Sequence, residues 1–256
     1  MQPREKYTLA GMRICITGAS RGLGRELAKT LAARGHEVWG IARDGEKLQT
    51  LQTELIAATF RTSVIDAGDP HQLRRWSDEM RSAGFEPDIV ILNASVQHDD
   101  MRETFDASPT HETLAVNLES PLQIIGLLLP SFQKRGRGTF VAITSSVALR
   151  PSARSASYAA SKAGLSMAMR SLRLKYASEG IRFAEVCLGP IDTGMWEGKR
   201  GGMVPNARDA ADRIASFALQ DSGGTLYYPF LSTLLLRLSL WLPDSIFAFM
   251  SSRLLK

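Results

Sequence analysis

The chain is short of the residues that build disulfide frameworks and metal centres. Its two cysteines, Cys15 and Cys187, fall in apolar runs that read as strands. Buried free thiols are the expectation, which fits a reducing, cytoplasmic setting. The four histidines, His36, His71, His98 and His111, form no metal-ligand spacing with one another or with a cysteine. No metal site is therefore expected, and His98, just after strand four, reads as a surface-loop residue, with a place lining the cleft as the alternative. No charged segment followed by an apolar one opens the sequence, so no secretory signal is expected. Internal repeats and low-complexity linkers are absent. The formal charge is +5, with pI near 9.4, but no run of five basic residues occurs. The modest clusters at 134–137 and 199–200 read as loops. No aromatic platform interleaves with them, so a nucleic-acid partner is not expected.

What the chain has is alternation. Apolar runs suited to strands fall at 13–17, 37–42, 62–66, 88–93, 139–145, 181–188 and 225–228. Helical patterns fall near 22–34, 45–57, 70–83, 109–135, 155–178 and 207–220. At 256 residues this predicts a single α/β domain over 1–256. Its architecture is a doubly wound, parallel, seven-stranded sheet of Rossmann type, covered by helices on both faces. Residues 229–256 form an apolar C-terminal extension.

Several residues carry chemistry. Arg13 to Thr17 is followed by Gly18-Ala19-Ser20-Arg21-Gly22-Leu23-Gly24 and then by an amphipathic helix. Strand, glycine turn and helix together cradle a pyrophosphate, because backbone N–H groups and the helix dipole face it. Tyr158 and Lys162 stand four apart, one helical turn, on one face. A fixed ammonium beside a phenol should lower the phenol's pKa and suit it to general acid–base work. Ser145, at the end of the strand Thr139 to Ile143, lies thirteen residues before Tyr158. The strand position and this spacing favour it over Ser146. Asn117 sits inside a long helical pattern, where an asparagine fits if it bonds backbone groups at a kink.

Together these motifs resemble the short-chain dehydrogenase/reductase family, from about Met12 to Tyr228. The motif at strand four, normally Asn-Asn-Ala-Gly, is Leu92-Asn93-Ala94-Ser95. That after strand six is Leu188-Gly189-Pro190-Ile191-Asp192-Thr193, with Leu188 where a proline is usual. The resemblance implies a catalytic tetrad of Asn117, Ser145, Tyr158 and Lys162. It places Gly18, Ser20, Arg21, Gly22, Leu23, Gly24, Arg43, Asp66, Asn93, Tyr158, Lys162, Gly189, Ile191 and Thr193 at a nicotinamide cofactor. Leu92 and Ser95 imply that the turn behind the adenosine ribose is built differently. The implied reaction is hydride transfer between the cofactor and a carbonyl or secondary alcohol. A homodimer or homotetramer is implied too, through the helices near 109–135 and 155–178.

Arg43 at the end of strand two can pair with a 2′-phosphate, which favours NADP(H); Asp44, one step on, is the feature that would favour NAD(H). Residues 194–203 read as a lid. In the extension, Leu231, Leu234, Leu235, Leu238, Trp241 and Leu242 make one apolar stripe, which is expected to pack on the domain. Leu236 and Leu240 lie off it and need a second cover. Twelve residues before Pro243 are too few to span a bilayer, which takes ~20. A wall for an apolar substrate, a subunit contact and a membrane-surface contact all remain open. Rival readings are a cofactor-binding regulator without catalysis and a membrane-surface scaffold.

Overall fold

The computed structural model describes residues 11–101, 103–151, 153–192, 204–220, 223–243, 245–247 and 249. Seven parallel strands, β1 (Arg13–Thr17), β2 (Glu37–Ala42), β3 (Phe60–Val64), β4 (Ile89–Leu92), β5 (Gly138–Ser145), β6 (Ile181–Leu188) and β7 (Thr225–Tyr228), form one sheet in the order β3-β2-β1-β4-β5-β6-β7. The order in which strands are added across the sheet reverses between β1 and β4. Ligand crevices of open α/β sheets form there, beyond the carboxyl ends of the strands.

Alternation along each strand divides the core. Ile14 and Ile16 of β1 enter one buried cluster, with Leu27, Leu31 and Ile214; Cys15 enters the other, with Trp76, Phe132 and Met169. The first cluster belongs to helices α1 (Gly22–Ala33) and α7 (Ala207–Leu219). The second belongs to α3 (Pro70–Ser82), α5 (Ser120–Arg135) and α6 (Ala156–Lys175). Both cysteines are buried and free, as their setting predicts.

Local signals set several boundaries. Asp44 caps α2 (Gly45–Glu54) by accepting from Lys47 N, and Asp69 caps α3 ahead of Pro70. Gly136, at φ 63°, ends α5 in the left-handed region. Lys134 and Arg135 are the last turn of that helix, not a loop. Strand β3 begins and ends two residues before its expected span, because Phe60 pairs with Val38, so Asp66 lies beyond the strand. The long helical pattern divides into α4 (Thr110–Leu114), a π turn (Ala115–Glu119) and α5.

The extension departs from its expected packing. Helix α8 (Phe230–Ser239) follows β7. Leu231, Leu235, Leu238 and Trp241 face outward, Trp241 at 89% exposure, while Thr233 is fully buried. The helix is thus seated on Thr233, with Leu234, Leu236 and Ser239 half-buried and the expected stripe largely outside. Thr233 tolerates this because its hydroxyl donates to Pro229 O at 2.7 Å. The approach to β6 is close there: a Cβ on Gly189 would lie 3.0 Å from Ser232 Oγ and 3.5 Å from Thr233 Cγ2.

Candidate active site

The glycine turn is shaped by close approach. Gly18, at φ 72°, comes so near Ala94 that a Cβ would lie 2.9 Å from its Cα. A Cβ on Gly24 would lie 2.1 Å from Gly18 O. Thr17 Oγ1 accepts from the N–H groups of Asn93 and Ala94, at 2.9 and 2.8 Å, and Asn93 Nδ2 donates to Thr17 O at 2.9 Å. The turns after β1 and β4 are thus locked together. Ser20, Arg21, Gly22 and Leu23 lead into the N-terminus of α1, with Arg21 at its cap position. Phosphate oxygens fit such a bare cradle in front of unpaired helix N–H groups.

At the end of β2, Asp44 is engaged elsewhere. Besides capping α2, its carboxylate pairs with Lys47 Nζ at 2.5 Å. Hydrogen bonds from Lys47 hold its pKa below the ordinary value, with the charge of Arg21 a smaller contribution. Arg43 reaches across to Glu112 at 3.1 Å, and the other Glu112 oxygen lies 3.1 Å from His98 Nε2. Asp66 accepts from Gly68 N at 2.9 Å.

The proposed chemical groups meet beyond β5. Ser145 ends the strand, and its Oγ accepts from Val147 N at 3.4 Å. Tyr158 and Lys162 project from the first turns of α6. Ser155 caps this helix, and Asp100 anchors it, accepting from Ala156 N, Ser157 N and Ser157 Oγ at 2.8, 2.9 and 2.5 Å. Burial of Asp100 pushes its pKa up, but these bonds win and hold it below the ordinary value. Lys162 is buried, donates to Ile143 O at 3.0 Å and stands 5.7 Å from the centre of the Tyr158 ring. Burial lowers its pKa to about 8. For Tyr158, burial raises the pKa, with the Ser145 and Ser95 hydroxyls pulling it back in part. The net direction is upward, against the expectation that Lys162 would draw it down: in this pocket desolvation outweighs an ammonium held away on a carbonyl.

Asn117 lies in the π turn, a common position for functional residues. Its amide accepts from Val96 N at 2.8 Å and from Ser95 Oγ at 3.1 Å. It donates to Val96 O and Ser161 Oγ, at 2.8 and 3.1 Å. Gly189 and Ile191 follow β6, and Gly189 N donates to Tyr228 O at 2.7 Å. Thr193 and residues 194–203 lie outside the described residues.

Sequence reasoning missed three residues here. Asp100 anchors a helix more than fifty residues ahead, and no local pattern marks that. Glu112 partners Arg43 only through the fold. Arg150, 8% exposed, reaches from the segment after β5 to the carbonyls of Ser239 and Leu242 and stacks on Phe247 at 4.7 Å, latching the extension beside the site.

Comparison with known proteins fits this geometry. A model of the short chain dehydrogenase family matches residues 12–203. The 3-oxoacyl-acyl-carrier-protein reductase FabG of Escherichia coli (strain K12) is 31% identical over 180 residues, 70% of this chain and 73% of that protein. Benzil reductase ((S)-benzoin forming) IRC24 of Saccharomyces cerevisiae is 29% identical over 210 residues, 77% of this chain and 80% of that protein. Among solved structures, a metagenomic short-chain oxidoreductase in complex with NADP superposes with TM-score 0.73 at 26% identity, covering 85% of this chain and 96% of its own. An alcohol dehydrogenase from Thermococcus sibiricus shares the fold at TM-score 0.76 and 23% identity, over 84% and 95% of the two chains. With a family model matching well over half of its length, the chain belongs to the short-chain dehydrogenase/reductase family of oxidoreductases.

Proposed function

We propose that this protein is an NADP(H)-dependent carbonyl reductase or alcohol dehydrogenase working as one dinucleotide-binding and catalytic unit. The observation that carries the reading is the meeting of the Tyr158 phenol, the Ser145 hydroxyl and the Lys162 ammonium at the carboxyl end of β5. The cofactor, when bound, supplies the hydride. Gly18 to Gly24 and Asn93 would hold its pyrophosphate and ribose, Asp66 its adenine, Lys162 its nicotinamide ribose, and Gly189, Ile191 and Thr193 its carboxamide end. Tyr158 gives a proton to the substrate oxygen, and Ser145 bonds and orients that oxygen. A phenol kept protonated by burial suits the donor role. Asn117 holds the proton path from Lys162 outward.

NADP(H) is preferred because Asp44 is committed to Lys47 and the helix cap, while Arg21 and Arg43, the latter exchanging its exposed pair with Glu112, can take a 2′-phosphate. The structural relative bound to NADP supports this. Relatives named as reductases of a 3-oxoacyl group and of benzil support ketone chemistry. A bulky, apolar carbonyl substrate is part of this proposal, supported by the relative named as a benzil reductase. Leu122, Met167 and Leu174 on the outer faces of α5 and α6 support a homodimer through those helices. A cytoplasmic site of action fits this assignment. The outward ridge Leu231, Leu235, Leu238 and Trp241 supports a peripheral contact with an anionic lipid surface, since the sequence after 223 carries Arg237, Arg253 and Lys256 against Asp244.

A panel of ketones with NADPH oxidation followed optically tests the reading. Turnover is expected, with Tyr158→Phe lowering it by ~10²–10⁴ while cofactor affinity is kept. Cofactor binding without turnover on any carbonyl would favour the inactive regulator or scaffold instead.

A further inference from the structure

Glu112 serves two partners from the first turn of α4. One of its carboxylate oxygens lies 3.1 Å from Arg43 Nη1, and the other lies 3.1 Å from His98 Nε2. An ionised carboxylate only accepts, so His98 Nε2 carries the hydrogen of that bond. Arg43 directly follows β2 and His98 follows β4, so Glu112 bridges the carboxyl ends of two strands. Asp44, beside Arg43, is already held by Lys47 Nζ at 2.5 Å and by the cap of α2. Glu112 is therefore the carboxylate that claims the arginine. The side chains of Arg43 and Glu112 are 52% and 44% exposed. A pair this open to water shifts an equilibrium by no more than about fivefold. Parting leaves Glu112 with His98, so the carboxylate keeps a donor. A phosphate monoester carries about −1.5 to −2 charges at neutral pH and takes a guanidinium by its planar fork. It outcompetes one carboxylate for Arg43. Any phosphate on that guanidinium also stands within the ~8 Å screening length of Glu112, and the two anions repel.

We propose that Glu112 is a specificity-determining residue of this chain, an exchangeable counter-ion on Arg43 that holds the affinity for a 2′-phosphorylated cofactor below what the arginines alone would give. A nucleotide with a free 2′-hydroxyl leaves the Arg43–Glu112 pair intact. One with a 2′-phosphate must take Arg43 from Glu112. The preference for NADP(H) is therefore trimmed from α4, by a residue remote in sequence from the glycine turn and from the end of β2.

The inference rests on Arg43 as a 2′-phosphate partner, and the experiment separates the two. Calorimetric titration of the full chain with adenosine 2′,5′-bisphosphate and with adenosine 5′-monophosphate reads the 2′-phosphate alone, without turnover. Glu112→Gln keeps the side chain's length and an acceptor for His98, and removes the charge. It should tighten the bisphosphate by about two- to fivefold and leave the monophosphate unchanged. The gain should shrink as salt is raised. It should fall below about twofold in an Arg43→Ala background, where there is no arginine to release. Unchanged or weaker bisphosphate binding in Glu112→Gln, in a protein whose Arg43→Ala variant loses bisphosphate affinity, would overturn the role of Glu112 alone. Equal tightening of both nucleotides would overturn it too, as the mark of general charge. So would an undiminished gain in Arg43→Ala, because Glu112 would then act on the phosphate directly. A parent that binds both nucleotides equally, with Arg43→Ala changing neither, would sink the 2′-phosphate assignment of Arg43, and this inference with it.

Discussion

The two ends of the molecule are built on opposite terms. Around β1, α1 and the turn after β4, every close approach is fixed by something that cannot give way: Gly24 against a carbonyl, Gly18 against a backbone Cα, Thr17 shared by two N–H groups. At the other end, α8 meets the domain through Thr233, half-buried Leu234 and Leu236 and one arginine latch, and leaves Leu231, Leu235 and Leu238 outside. The first region is defined by shape. The second presents a surface seated close to Gly189, and hydrophobic pattern alone misleads there.

The largest effect should come from filling the cradle. Gly24→Ala must move a backbone carbonyl, since its Cβ would lie 2.1 Å from Gly18 O. A loss of about 3 kcal/mol in stability is expected, the upper range for overpacking, with NADPH affinity falling at least tenfold. Urea denaturation and cofactor titration would measure both, and an unaffected Gly24→Ala protein would mean that the cradle is soft.

Buried charge gives the next effect. Lys162 has a pKa of about 8 in the folded chain, against 10.5 when unfolded. Below pH 8 it is charged in both states, and burial costs the fold about 3 kcal/mol. Between these pKa values the unfolded chain binds more protons, so stability rises with pH, and above the higher one the cost is gone. Lys162→Met should therefore be more stable than the parent at neutral pH, with the difference shrinking toward about pH 10. A difference that stays constant with pH would show that the ammonium is not penalised by its site.

Much of this was legible in the sequence, for reasons that differ by residue. The sheet, its order of elements and the meeting of Ser145, Tyr158 and Lys162 follow from local signals: apolar strands, glycine turns and one helical turn between two side chains. Asn117 in a π turn agrees with an asparagine that needs backbone partners at a kink. Asp100 and Glu112 were not legible, because each acts on an element distant in sequence. The direction of the Tyr158 pKa was not either: the spacing shows that Lys162 is near, but not that its ammonium turns to Ile143 O in a desolvated pocket.

Arg150 sharpens the comparison from the other side. Its guanidinium is the main polar tie of α8's far end to the domain, binding Ser239 and Leu242 carbonyls. Arg150→Ala should free those carbonyls and loosen the extension by about 2 kcal/mol, within the range for bonds to a charged group. Hydrogen exchange should then quicken in α8 and stay unchanged in α1. Equal protection of α8 in both proteins would assign its seating to the Gly189 seam alone.

The smallest expected effect is the most discriminating. Leu235 and Leu238 belong to the stripe that pattern assigns to the core, yet they are 61% and 56% exposed. A core leucine cut to a small residue costs about 2–5 kcal/mol, whereas a surface substitution stays within about 0.5 kcal/mol. Leu235→Ser and Leu238→Ser should therefore leave the urea midpoint nearly where it is, and together with Trp241→Ser should reduce co-sedimentation with vesicles rich in anionic lipid. A loss of more than about 2 kcal/mol for either single variant would put the stripe inside, and the contrast between the two ends would collapse. A stable triple variant that falls from dimer to monomer in light scattering, in a protein that never binds vesicles, would give the ridge to a second copy of the chain and take it from the lipid surface.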